Sequence, residues 1–322
     1  MKYAWIHENR GVYPTPMMCD LLGVSRSGLF AAAKRQGSER RVQEAEVVEA
    51  IRRAQQRHKG RYGRRRMTRE VSEAIGHSIN QKRIGRLMRE HGLGSRKRRP
   101  FRVRTTDSRH GQPIAPNLLA RDFGATMPDQ KWLADVTCVP TDEGWLYVAF
   151  VLDLFARKLI GWAMSEAMPQ DLTIEALKVA LGWRDPPRGM IHHSDRGSQY
   201  AAKDYRKLLK ARGITVSMSR KGDCWDNAPM ESVNGTFKVE CVHGEHFKTR
   251  AQAKRAIMEY IGYYNTERRH SSIGNVTPAQ FERRWRAENE KSAPVWCMGQ
   301  TTRFPPPAGS GTSQATEPTD RG

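Results

Sequence analysis

Apolar residues recur at helical spacing through the first third of the chain and at strand spacing after it, which divides the sequence into an all-α part and an α/β part. Over 14–36, Leu21, Leu22 and Val24 precede a Ser25-Arg26-Ser27-Gly28 turn and a second short helical run, a helix-turn-helix pattern. Three helices are expected next: 39–58 through Val47, Val48, Ile51 and Ala54, 64–75 through Met67, Val71 and Ile75, and 80–91 through Ile84, Leu87, Met88 and His91. Gly76 parts the last two, Asn80 can cap the third, and Gly92 can end it. On this third helix Lys82, Arg86 and Arg89 gather opposite Ile84, Leu87 and His91, so one face docks and the other offers cations.

Residues 100–125 lack a period, carry Pro100, Gly111, Pro113 and Pro116, and read as a linker. Beyond them KWLADVTCVP, WLYVAFVLDLFA and KLIGWAMSE are β-rich runs, the first closed by a Thr141-Asp142-Glu143-Gly144 turn. A helix at 171–183, a strand at 189–193, a helix at about 201–212, a strand at 214–218 and a helix from about 228 complete the order βββαβαβα. That order predicts an α/β mixed sheet covered by helices, with Trp132, Trp145 and Trp162 in its core.

Charge then narrows the class of partner. The 55 Lys and Arg against 34 Asp and Glu leave a net charge of +21, which puts nucleic acid first. Residues 1–130 hold 28 basic and 12 acidic side chains and the rest 27 and 22, so the excess sits in the helical part. Arg64, Arg65 and Arg66 precede the cationic helix and Arg96, Lys97, Arg98 and Arg99 follow it, so this region is expected to grip DNA phosphates together with Lys82, Arg86 and Arg89. No run of 18 apolar residues and no signal-like N-terminus is present, so the expected location is the cytoplasm, on the nucleoid, with no membrane partner. Five scattered cysteines without a CxxC encode neither a disulfide framework nor a zinc ribbon, and Cys241, His243 and His246 lack a nearby fourth ligand.

Candidate chemistry lies in acids where elements begin or end. Asp135 falls in the first strand, Asp195 follows the strand Met190–His193, and Glu231 opens a helix begun by Asp226-Asn227-Ala228-Pro229. Lys238 lies on the Glu231 face nearly two turns later, and Met230, Val233 and Phe237 form the stripe that docks. Carboxylates brought together stay ionised only if cations neutralise them, which two Mg²⁺ ions can do while promoting in-line displacement at a phosphodiester. Asp142, Glu143, Asp153 and Glu175 are also available, so position alone does not single out a triad. Ser194, Ser198 and Tyr200 offer a covalent alternative, but no arginine cluster accompanies them. His193 reads as a packing or hydrogen-bonding residue at a strand end, and Trp225 and Asn227 as residues shaping the loop before Glu231.

The blocks WLADVTCV, HSDRGSQY and GDCWDNAPMESVNGTFK resemble the catalytic blocks of the DDE transposase and retroviral-type integrase superfamily, and 35 residues separate Asp195 from Glu231, the spacing of its DD35E subgroup. LGVSRSGLF, RYGRRRM, NQKRIGRLMREHGL and YNTERRHSSIGNVTPAQF extend the resemblance, to about 286, toward the second-frame (OrfB) product of two-frame bacterial insertion sequences. The resemblance implies an RNase H-like core, metal ligation by Asp135, Asp195 and Glu231, a DNA contact by Lys238, and two Mg²⁺ ions for which Mn²⁺ can substitute. Asp135 would bridge both ions, with Asp195 and Glu231 holding one each. It further implies double-stranded DNA, both element ends and target, as partner, a homo-oligomer on DNA, and an upstream-frame (OrfA) product or its frameshift fusion supplying end recognition. The expected divisions are a helix-turn-helix-like segment at 1–38, a basic trihelical DNA-binding domain at 39–100, a linker at 101–125, a catalytic core at 126–240, a helical extension at 241–286 and a disordered tail at 287–322. A non-catalytic DNA-binding regulator and a nuclease that cuts without joining are the competing functions.

Overall fold

The computed structural model describes residues 2–36, 39–96, 110–167 and 170–292. Lys97, Arg98 and Arg99 of the basic run, and the tail from 293 on, lie outside the described residues. Up to Glu282 the chain forms one compact unit, and a second, from Arg283, contributes the remainder of the last helix. Among the described residues no helix is long and apolar enough to cross a membrane.

Three short helices come first, α1 (Lys2–Glu8), α2 (Thr15–Leu21) and α3 (Arg26–Gln36), around a small core of Ile6, Met18, Cys19 and Leu29. The apolar pattern did not announce α1, because Ile6 is its one buried residue and a single position has no period. α4 (Glu39–Arg57), α5 (Arg64–Ile75) and α6 (Gln81–Glu90) follow where the pattern puts them. The Asn80 side chain accepts from the Lys82 amide at 2.8 Å, satisfying one of the first-turn donors of α6. Gly76 ends α5 at φ 84°, a conformation in which a Cβ would be strained. Ile84, Leu87 and Met88 are buried, but His91 is exposed, since the helix stops at Glu90 and His91 is its C-cap.

The sheet comprises β1 (Lys131–Thr141), β2 (Gly144–Asp153), β3 (Lys158–Ser165), β4 (Ile191–Ser194) and β5 (Thr215–Met218), in the order β3-β2-β1-β4-β5. The first three strands pair antiparallel. β4 then joins β1, and β5 joins β4, in parallel, after crossovers through α7 (Gln170–Trp183) and through α8 (Ser198–Ala201) with α9 (Lys203–Ala211). This is the RNase H-like mixed sheet. Pleating sends Trp132, Ala134 and Val136 toward Leu177 and Ala180 of α7. Leu133 and Val139 face the opposite layer, formed by α10 (Ala228–Phe237) and α11 (Arg250–Thr266), whose Phe237 and Tyr260 join one continuous core with Ile51 and Ile84 of the helical part. Gly161 allows α7 to lie on β3, because a Cβ there would fall 2.3 Å from the Ala176 carbonyl oxygen.

Three expectations change. Trp145, next to the β1–β2 turn, is 40% exposed rather than core, while Trp132 is fully buried and Trp162 half-buried. Residues 110–125 are irregular but fastened: the Leu118 and Leu119 amides donate to Ser217 Oγ at 2.9 and 3.1 Å, and Asn117 and Arg121 donate to Asp226 at 2.9 Å each. Such side-chain bonds have no period, so an apolar pattern cannot report them. The last helix, α12 (Pro278–Ser292), continues six residues past the expected end at 286.

Candidate active site

Strand register brings the first two acids together. Leu133 of β1 pairs in parallel with His193 of β4, the last pair of that ladder; Asp135 follows two residues on in β1, and Asp195 follows just past the end of β4, near enough for its charge to act on Asp135. Asp135 shares the pleat face of Leu133, the face that α10 covers.

Docking of α10 supplies the third acid. Met230, Val233 and Phe237 are buried as the stripe predicts, and the Phe237 ring meets Phe150 edge-on with centroids 5.4 Å apart. Asn234, one turn after Glu231, donates to Asp135 Oδ2 at 2.8 Å, and Asn227 donates to the Ala134 carbonyl at 3.3 Å. These two bonds tie the start of α10 to β1. The Val136 amide holds Asp135 Oδ1 at 2.9 Å, and the Gly197 amide holds Asp195 Oδ1 at 2.9 Å.

The electrostatics follow from that crowding. Half-buried Asp135 is pushed well above the usual carboxylate range, first by removal from water and then by the negative charge of Asp195, with Glu231 adding to it. Tyr200, buried behind the pair, is likewise raised, by burial first and then by Tyr205, Asp135 and Asp195. Tyr200 Oη and Asn234 Oδ1 are buried oxygen atoms without a hydrogen-bond partner. A set of carboxylate, phenol and amide oxygens in which like charges repel fits a hard divalent cation. Among the described residues no group of three or more His, Cys, Asp or Glu side chains is set to hold a metal ion.

The other acids are engaged elsewhere. Asp142 meets His246 at 2.7 Å, Glu143 accepts the Arg250 amide at 2.7 Å, and Glu175 pairs with Lys178 at 2.8 Å. Asp153, fully buried, is raised to about 7 by burial and by Asp129, and accepts from the Asp129 amide at 3.3 Å. Buried His193 lies between Ser217 Oγ at 2.9 Å and Ser219 Oγ at 3.1 Å, the hydrogen-bonding role expected of a strand-end histidine. Cys241 is buried with its Sγ 3.7 Å from the Ala256 carbonyl, and His246 pairs with Asp142.

Lys238 is not placed to reach solvent as a DNA contact would be. It is buried, its ammonium donates to the Cys138 carbonyl of β1, and burial lowers it to about 8. The cations of the helical part divide similarly. Arg64, Arg65, Lys82 and Arg89 are exposed, and Arg64 and Arg89 line one hollow. Arg86 is held by Glu44 at 2.5 Å and Glu90 at 2.7 Å, and Arg66 turns inward to Glu240 at 3.4 Å.

Sequence reasoning missed Asn234, although it lies three residues from Glu231 on the same helical face. It also missed Asp226, fully buried and held below the usual carboxylate range by hydrogen bonds first from Arg220 and then from Arg121. That anchor fixes the 3₁₀ turn Cys224–Asn227 and leaves the Trp225 indole standing in solvent.

Two integrase core domain models match residues 125–224 and 212–278, and an HTH-like domain model matches 42–101. The chain is 44% identical over 269 residues to the insertion element IS600 uncharacterized 31 kDa protein of Shigella sonnei, covering 83% of this chain and 98% of that one. It is 42% identical over 288 residues to transposase InsF for insertion sequence IS3A of Escherichia coli (strain K12), covering 88% of this chain and 98% of that one. Among solved structures, the HTLV-2 integrase catalytic core domain in complex with magnesium aligns with a TM-score of 0.38 and 15% identity over 49% of this chain and 99% of that one.

Proposed function

Because this chain belongs to the transposase family of insertion elements, we propose that it cuts and rejoins DNA strands, with Asp135, Asp195 and Glu231 as its catalytic carboxylates. The observation that supports this reading best is that Asp135, in β1 next to β4, is raised by the negative charges of Asp195 and Glu231. Two divalent cations of the magnesium class, with manganese able to stand in, would be held by Asp135, Asp195 and Glu231, and when bound would activate the attacking oxygen and neutralise the leaving one. Asn234 and the Val136 amide orient Asp135, and the Gly197 amide orients Asp195, so the carboxylates are preset before substrate arrives. The reactions are hydrolysis of a phosphodiester at an element end, leaving a 3′-OH, and attack of that 3′-OH on a second phosphodiester.

Exposed Arg64, Arg65, Lys82 and Arg89 of the HTH-like region are the phosphate contacts this reading favours over inward-turned Arg66, doubly paired Arg86 and buried Lys238. The division into a basic trihelical domain at 39–100 and a catalytic core at 126–240, assembly as a homo-oligomer on DNA with the upstream-frame product, and residence on the nucleoid belong to the same proposal. Incubating the purified chain with Mg²⁺ and an end-labelled duplex tests it. Joined strands support the reading, cleavage without joining replaces it with a nuclease, and unaltered duplex with retained binding replaces it with a regulator.

A further inference from the structure

The side of α10 that faces away from Asp135 borders a cavity of about 240 Å³. Pro229, Ser232, Val233 and Thr236 form its helical wall, the i, i+3, i+4, i+7 stripe, and Glu231 lies on the far side of the same turn. The opposite wall is cationic, with Arg66, Arg157 and Arg268, and Ser271 and Ser272 add hydroxyls at the rim.

The charges around this cavity do not cancel. Glu240 accepts from Arg268 at 2.8 and 2.9 Å and meets Arg66 at 3.4 Å, so one carboxylate serves two guanidiniums. Among the described residues Arg157 donates no hydrogen bond and has no carboxylate within ion-pair distance, although it is half-buried. Its backbone is held at φ 56°, a conformation L side chains rarely adopt, in the turn between β2 and β3. The surplus is felt by His270 in the same wall, held neutral by burial and then by the positive charges of Arg268, Arg66 and Arg157. Three guanidiniums and five hydroxyl-bearing residues line the small cavity, Tyr264 among them, with no carboxylate in the lining, which makes a site for a tetrahedral oxyanion.

We propose that this cavity binds a backbone phosphate of DNA, with Arg157 as the principal ligand, and so fixes the strand on the far side of α10 from Glu231. A helix is about 10 Å across, which spans one or two phosphate intervals of a strand, so the held phosphate would neighbour the one undergoing reaction. The proposal rests on the reading of the protein as a DNA transposase, and its test needs no catalysis.

The full chain is titrated with duplex DNA, without Mg²⁺, over a range of salt, alongside Arg157→Gln and Ser272→Asp. Arg157→Gln should weaken binding about tenfold, the loss of one charge-assisted contact, and lower the log–log salt slope by about 0.9. Ser272→Asp, which adds a carboxylate at the exposed rim, should weaken binding comparably and decides the matter if Arg157→Gln does not fold. Wild-type affinity and slope in a folded variant overturn the proposal. Inorganic phosphate that raises the melting temperature of wild type but not of Arg157→Gln, with duplex binding equal in both, also overturns it, in favour of a free-anion site. Duplex binding that depends on Arg157 in a chain that never cuts DNA supports the site and sinks only the catalytic reading.

Discussion

One helical run, from Ala228 through Val242, carries an acidic centre at each end, and the two are built oppositely. At its start Asp135 feels the negative charges of Asp195 and Glu231, acid acting on acid. At its end Glu240 meets Arg268 at 2.8 and 2.9 Å, the Tyr260 hydroxyl at 3.2 Å and Arg66 at 3.4 Å. Asp226, just before the run, is of the second kind, matched by Arg220 and Arg121. Acids that hold a fold together are depressed by the cations they meet, whereas Asp135 is raised by the acids beside it. The contrast therefore separates candidate catalytic carboxylates from structural ones.

The largest expected effect breaks the first centre. Asp135→Asn or Glu231→Gln should lower strand cleavage and joining by roughly a thousandfold or more, the loss of several kcal/mol of transition-state stabilisation, with duplex binding unchanged. Asp135→Asn should also melt no lower than wild type, because it removes like-charge repulsion. Substantial joining by purified Glu231→Gln would take that residue out of the site.

The second centre should respond in the opposite sense. Arg268→Ala leaves Glu240 buried with only the Tyr260 hydroxyl and the more distant Arg66 and should cost roughly 3–5 kcal/mol in urea unfolding. A loss under about 1 kcal/mol, typical of surface pairs, would erase the contrast.

Acid–base behaviour sharpens it further. Because the folded pKa of Asp135 is raised, the metal-free protein should lose stability as pH climbs from the ordinary carboxylate value toward the raised one. Mg²⁺ should therefore raise the melting temperature more at pH 8 than at pH 5, and Asp135→Asn should lose that difference. Glu70 runs the other way. The close approach of His58 at 3.3 Å first, and then its bond to Arg269, hold it at about 2, so its contribution is present above the ordinary carboxylate pKa and lost as pH falls toward 2. Glu70→Gln should flatten the acid side of the melting curve alone.

The smallest effect concerns the cations of α6. Lys82→Ala and Arg89→Ala should each lower the log–log salt slope of duplex binding by about 0.9, while Arg86→Ala should lower it less, because Glu44 and Glu90 already hold that guanidinium. Equal slopes for all three would mean that the Glu44 pair opens on DNA.

What the chain determined by itself is what local geometry can carry. The 3.6-residue period of α4, α5 and α6, the Asn80 cap, the apolar β-rich runs of β1 to β3 and the placing of Asp135 within β1, Asp195 just after β4 and Glu231 in the first turn of α10 all depend on residues a few positions apart. The tertiary structure decided which charges are matched, and by which partners. Glu240 finds Arg268 and Arg66, Asp226 finds Arg121, and Lys238 turns under its helix to the Cys138 carbonyl, although each looks like any other charged residue in the sequence. A carboxylate's role is set by the charges and the water within a few ångström of it, and those neighbours come from distant parts of the chain, brought in by packing that no local period encodes.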